Sequence, residues 1–139
     1  MKSVTFLVIT LLGTGLAGTS QADPGRDAIL RSYAAQARTA DSTFGGFQAT
    51  RGETLFRAVS KSGKAETPSC TTCHGEDPRK AGQTRAGKPI EPLVVSVTPA
   101  RFTDAEKVEK WFLRNCTGVL GRECTVLEKG DFITFLSAR

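Results

Sequence analysis

Cys70-Thr71-Thr72-Cys73-His74 decides how the rest of the chain is read. Two thiols three positions apart reach two vinyl groups on adjacent edges of a porphyrin. The His that follows lies beneath the iron, so the pentapeptide reads as the attachment sequence of a c-type haem. A thioredoxin-like pair needs a strand–helix setting, whereas this pair follows a Ser/Gly/Lys/Thr loop. A four-cysteine zinc site would draw on Cys116 and Cys124, spaced wider than the about two to four intervening residues of a zinc knuckle. A framework of two disulfides is the remaining alternative.

Outward from the motif, the 139 residues suit a single domain. Hydrophobic residues make up 39% and charged ones 24%, the balance of a folded soluble protein. The N-terminus has the order of an export signal: Lys2, an apolar stretch over 4–12, then small and polar residues to Ser20-Gln21-Ala22. The apolar stretch is too short for a membrane helix. The sequence therefore predicts a signal peptide over 1–22 and a monohaem cytochrome c domain over 23–139. The exported domain is expected in a bacterial periplasm, without stable membrane insertion. The net charge of +5 is modest. Its basic runs, at Arg79-Lys80 and over 107–110, are broken by acidic or apolar residues. A solvated basic face is the ordinary reading and docking to an acidic protein the sharper one; nucleic acid is not expected.

Helical periodicity recurs. Ile29, Leu30, Tyr33, Ala34 and Ala37 predict a helix over 27–40, and Leu55, Phe56 and Val59 share one side of a shorter helix over 52–60. Residues 62–67 read as a loop leading into the cysteine pair. Four prolines across 77–99 predict an irregular wrap, with 93–97 apolar enough for a short strand. Thr103-Asp104-Ala105-Glu106 is a capping box for a third helix, along which Val108, Trp111, Phe112 and Asn115 fall on one face. Thr125-Val126-Leu127-Glu128 opens a last helix that turns Leu127, Phe132, Phe135 and Leu136 inward. The exported chain is thus mostly helical.

Two small counts bear on the second axial position of the iron. His74 is the sole His, and the sole Met is Met1, which leaves with the signal. The His–Met and His–His pairs of ordinary cytochromes c are therefore out of reach. Water, an empty site, a Lys such as Lys88, Tyr33, the new N-terminal amine, a thiolate or an amide remain. Asn115 is the best placed, on the apolar face of the third helix; the competing reading is a helix C-cap. With Cys70 and Cys73 committed to haem, Cys116 and Cys124 are left to pair in an oxidising compartment. That disulfide staples the turn between the last two helices and contributes about 2–3 kcal/mol in the loop-entropy account.

Pro68-Ser69-Cys70-Thr71-Thr72-Cys73-His74-Gly75 and Ala81-Gly82-Gln83-Thr84 resemble the sphaeroides haem protein (SHP) family. So do Pro99-Ala100-Arg101-Phe102-Thr103-Asp104, Val108-Glu109-Lys110-Trp111 and Arg114-Asn115-Cys116. The likeness runs over about 27–139. It implies an all-α, class I cytochrome c fold wrapped around one covalent haem. It also implies His74 as proximal ligand, Asn115 as distal ligand of the oxidised iron, and a disulfide between Cys116 and Cys124. The distal Asn would leave on reduction, O2 or NO would bind, and a dihaem cytochrome c or other redox protein would donate electrons. The similar cytochrome c″ proteins carry a His at the position of Asn115, so a switch by protonation of a distal imidazole does not carry over.

The chemistry of an amide ligand agrees with such a switch. A side-chain amide is a neutral, hard donor whose dipole is drawn to the net positive charge of ferric haem; reduction removes that charge and softens the iron. A five-coordinate ferrous haem then accepts CO, NO or O2 where the pocket admits them. A plain electron carrier with a permanent sixth ligand is the competing expectation. Enzyme activity is not expected beyond slow O2 reduction, since no second His is present to serve as a distal acid–base group.

Overall fold

The computed structural model describes residues 22–139. The expected signal segment lies outside the described residues up to Gln21. The first helix, α1 (Pro24–Ala40), begins three residues before its expected start at 27. Asp23 caps it, accepting from the amides of Gly25 at 2.9 Å and Arg26 at 3.1 Å, and Pro24 fills a first-turn position where an N–H would find no helical acceptor. Its buried stripe is Ile29, Tyr33 and Ala37. Arg26 is buried as well, 3% exposed, and donates to the carbonyls of Pro99 (2.6 Å) and Arg101 (3.0 Å).

The second helix, α2 (Ala49–Arg57), lies three residues upstream of its expected position. Gly52, expected at its start, stands inside it because α2 crosses the last helix there: a Cβ on Gly52 would lie 2.1 Å from the carbonyl oxygen of Asp131. Val59 falls beyond the helix end and is 73% exposed, so it does not share the inward side with Phe56, which is fully buried.

A single helical turn, α3 (Thr71–His74), carries the cysteine–histidine motif. A two-residue hairpin follows where no strand was expected: β1 (Gly82–Gln83) pairs antiparallel with β2 (Pro89–Ile90). Leu93, Val94 and Val95 are buried, but as a turn rather than a strand; Thr98 N–H donates to the Val94 carbonyl at 3.0 Å.

The next helix is α4 (Ala105–Leu120). Its cap is Asp104, which accepts from the Lys107 amide at 3.0 Å, one residue past the expected Thr103. Thr103 instead donates to the Ala100 carbonyl. Val108, Phe112 and Cys116 face inward, and Gly121 ends the helix in the left-handed region. The last helix, α5 (Val126–Ser137), has the expected capping box, with Thr125 and Glu128 exchanging hydrogen bonds at 3.1 and 2.8 Å. Ile133, Phe135 and Leu136 are buried along it, while Leu127 is partly exposed rather than turned in.

The core has two lobes. Ile29, Tyr33, Val108, Phe112, Cys116, Cys124 and Ile133 fill one, between α1, α4 and α5. Phe56, Leu93, Val94, Phe135 and Leu136 fill the other, between α2, α5 and the 93–95 turn. Phe102 and Phe132 touch both lobes, their rings 6.4 Å apart edge-on. Phe102 has φ of +62°, a backbone conformation that packing on both sides sustains in a non-glycine residue. Among the described residues, no helix is long and apolar enough to cross a membrane.

Candidate haem-binding site

One helical turn sets the motif's geometry. Cys70 stands at the N-cap of α3, and the His74 amide donates back to its carbonyl at 3.1 Å. Residues three apart on a helix are neighbours, so both thiols are presented together with His74 beside them. Ser69 anchors the turn from below. It is buried, donates to the Phe56 carbonyl at 3.4 Å and accepts from the Thr71 hydroxyl at 3.0 Å. Gly75, at φ of +68°, turns the chain out of the helix.

Both Cys70 and Cys73 are free thiols, and neither is fully exposed. Cys70 packs against the lobe of Phe56, Leu93 and Phe135, and burial pushes its pKa up to about 11. Burial, with the nearby charge of Arg101, pulls His74 down to about 4, so its imidazole is neutral at pH 7 with a lone pair to give. Among the described residues that imidazole has no hydrogen-bond partner. Arg101 is itself tied down, donating from Nε to Pro92 O at 3.1 Å and from Nη2 to Glu91 O at 2.8 Å. Its backbone carbonyl receives Arg26. Sequence reasoning missed Arg101 and Arg26 as supports of the motif; only their later neighbours in space reveal them.

The surroundings close in from two sides. The hairpin rests on the motif, for a Cβ on Gly82 would lie 2.3 Å from the Cys73 carbonyl oxygen. Between them opens a cavity of about 470 Å³ lined by Thr72, Cys73 and the hairpin strand through Arg85. On the other side, the loop ahead of Cys70 is sewn to the end of α4. The Lys64 amide donates to the Gly118 carbonyl at 2.8 Å, and Gly63 and Gly121 leave no room for a Cβ against Val119 and Ser62.

Asn115 lies within α4, five residues before its end. The C-cap reading therefore falls, because Gly121 holds that position. Asn115 is exposed, and among the described residues its amide has no hydrogen-bond partner. It sits one helical turn beyond Trp111, which is 48% exposed, and beside the buried stripe rather than on it. No hydrogen bond joins it to Cys70, Cys73 or His74. Its neighbour Cys116 is buried, with its sulfur bonded to that of Cys124 and the Cα atoms 5.5 Å apart. Among the described residues, the cysteines do not gather into a metal-binding cluster.

The residues present fit a covalent haem. Two unpaired thiols stand one turn apart, and a neutral imidazole beside them lacks a partner; Asn115 is exposed on a separate helix.

Comparison with known proteins agrees. The family described as "Domain of unknown function (DUF1924)" matches residues 42–136. The cytochrome c-type protein SHP of Cereibacter sphaeroides is 45% identical over 135 residues, covering 96% of this chain and 98% of that protein. Cytochrome c″ of Methylophilus methylotrophus is 30% identical over 131 residues, covering 93% and 91%. The structure of oxidised SHP, described as an oxygen-binding cytochrome c, superposes with a TM-score of 0.76 at 47% identity, over 85% of this chain and 100% of that one. The crystal structure of oxidised cytochrome c″ superposes at 0.67, with 30% identity, over 81% and 92%. Fold and site together define an all-α c-type cytochrome. The chain belongs to the SHP family.

Proposed function

We propose that this protein is a periplasmic monohaem cytochrome c that binds a diatomic gas once reduced. Cys70 and Cys73 carry the haem through thioethers, and His74 is the proximal ligand. Asn115 is the distal ligand of the oxidised form, and Cys116–Cys124 is the staple that holds its helix end. When bound, the haem would supply a redox-active iron able to take O2 or NO.

The chain's own residues set the rest. His74 is kept neutral by burial and so is ready to coordinate without losing a proton. With no protein hydrogen bond tying it down, the Asn115 amide would be free to face a ferric haem and to leave it once the positive charge is gone. Once free, its N–H can donate to a polar gas ligand. Electrons would come from a dihaem cytochrome or another redox protein. The signal segment over 1–22 delivers the chain to the periplasm.

The observation that carries this reading is the unpartnered Asn115 amide in a chain whose residues 23–139 contain no Met and no second His. Visible and magnetic-resonance spectra of wild type and Asn115→Val, oxidised and reduced, with and without CO, test it. The expected result is a changed ferric spectrum in the variant and a CO adduct in both reduced proteins. A reduced wild type that stays six-coordinate low-spin and ignores CO would mark a plain electron carrier with a permanent sixth ligand.

A further inference from the structure

Tyr33 is the sole tyrosine of the chain, and the haem reading leaves it without a task. It is 4% exposed, in the lobe between α1, α4 and α5. Its hydroxyl donates to Glu109 Oε1, while Lys129 Nζ donates to Glu109 Oε2 at 2.6 Å. The same ammonium stands over two rings, 5.7 Å from the centre of Tyr33 and 6.0 Å from that of Phe112. Burial works against the Glu109 charge, but the bonds from Lys129 and Tyr33 and the Lys129 charge keep the carboxylate ionised.

This pairing suits the transfer of an electron and a proton together. Burial, and then the bond to Glu109, shift the Tyr33 pKa upward, so a phenolate does not form first. Once an electron is removed, the phenol becomes a strong acid, and an ionised acceptor is already in hydrogen-bond contact with it. The Lys129 charge makes that electron harder to remove and so reserves Tyr33 for strong oxidants. The surrounding rings lead to the haem attachment site. Phe112 shares the lobe of Tyr33 and meets Phe132 edge-on, 5.8 Å between centres. Phe132 in turn lies 6.4 Å from Phe56, in the lobe against which Cys70 packs.

We infer that Tyr33 and Glu109 form a proton-coupled electron donor that clears hydrogen peroxide from the haem site. The inference rests on the haem reading above. One electron leaves Tyr33 through the packed rings, its O–H bond breaks, and the proton passes to Glu109 Oε1. The redox protein named above supplies a second electron and solvent supplies two protons. Hydrogen peroxide is thereby reduced to two waters, the peroxide O–O bond breaks, and the iron ends as it began.

The test mixes the oxidised holoprotein with hydrogen peroxide, freezes it and records electron paramagnetic resonance. A tyrosyl signal is expected in wild type and its loss in Tyr33→Phe; a single tyrosine and a single tryptophan keep the assignment clean. A second arm uses flash-generated ruthenium(III) tris-bipyridine, which oxidises the protein with or without haem. There Tyr33 oxidation in wild type is expected to slow in D2O. Glu109→Gln keeps a hydrogen-bonding partner but takes no proton, and is expected to slow the oxidation further, which a purely structural contact would not do. Equal ruthenium rates in wild type and Glu109→Gln overturn the pair as a proton-coupled donor. A peroxide signal from Trp111 alone, or none, in a protein with a normal haem spectrum overturns the inference and leaves the haem reading standing. A purified protein with no haem band overturns both.

Discussion

Asp131 on α5 accepts from both Nε and Nη2 of Arg51 on α2, at 2.6 and 2.8 Å. It also takes the Gln48 amide at 2.7 Å, so one buried carboxylate closes the start of α2 onto the last helix. The two partners are unequally buried: the Asp131 side chain is 4% exposed and that of Arg51 38%. Removing Arg51 strands a buried charge, whereas removing Asp131 releases a guanidinium that water can reach. Arg51→Met is therefore expected to cost about 3 kcal/mol in urea unfolding, and Asp131→Asn about 1–2 kcal/mol. A loss below about 0.5 kcal/mol for Arg51→Met would show that the clamp is idle.

Gly52 makes the same crossing possible. Its missing Cβ would stand 2.1 Å from the Asp131 carbonyl oxygen and 2.8 Å from the Phe135 Cβ. Backbone cannot step aside as a side-chain tip can, so Gly52→Ala must push α2 off α5 despite alanine's better helix propensity. The expected loss is about 1–3 kcal/mol, visible as a lowered Tm. A Tm raised by the substitution would mean that the two helices approach less closely.

Glu109 gives the fold a pH dependence of definite sign. Burial raises its pKa, but hydrogen bonds from Lys129 and Tyr33, together with the Lys129 charge, outweigh that and hold it below the ordinary 4.5. Tyr33, buried and bound to this carboxylate, is shifted upward and stays a donor. A carboxyl with a depressed folded pKa stabilises fully above its unfolded value and loses that contribution as pH falls through the folded one. Glu109→Gln is thus expected to flatten the fall of stability below pH 4.5 and to leave its shape near neutrality alone. Parallel acid unfolding curves for wild type and variant would remove Glu109 from the account.

The sulfurs of Cys116 and Cys124 bridge the end of α4 to the start of α5. Cys116→Ser/Cys124→Ser is expected to lower stability by about 2–3 kcal/mol in the loop-entropy account. Cys116 adjoins Asn115, so the ferric spectrum of the double variant is expected to broaden or change spin state. An unaltered spectrum would confine the pair to stapling.

Much of this was legible in the sequence because the signals were local. The Thr125–Glu128 capping box starts α5 where it was read, and the cysteine–histidine spacing needs only one helical turn to act. Errors arose where a distant contact decides a local choice. Gly52 reads as the start of a helix but is interior to α2, because α5 crosses there. Val59 looks like part of an apolar side, yet the helix stops at Arg57. The hairpin escapes notice because each strand has two residues and one includes a proline. Asp104 displaces Thr103 as cap because the Thr103 hydroxyl is spent on Ala100. The charge that Arg101 brings near His74 bridges 27 positions of sequence, beyond any periodicity.

Cys70 lies where its surroundings keep the thiol protonated, and a protonated sulfur is a sluggish nucleophile. A chain not yet collapsed onto Phe56 and Phe135 leaves that sulfur nearer its ordinary acidity, so under the proposed haem reading Cys70 reacts more readily before the core closes over it.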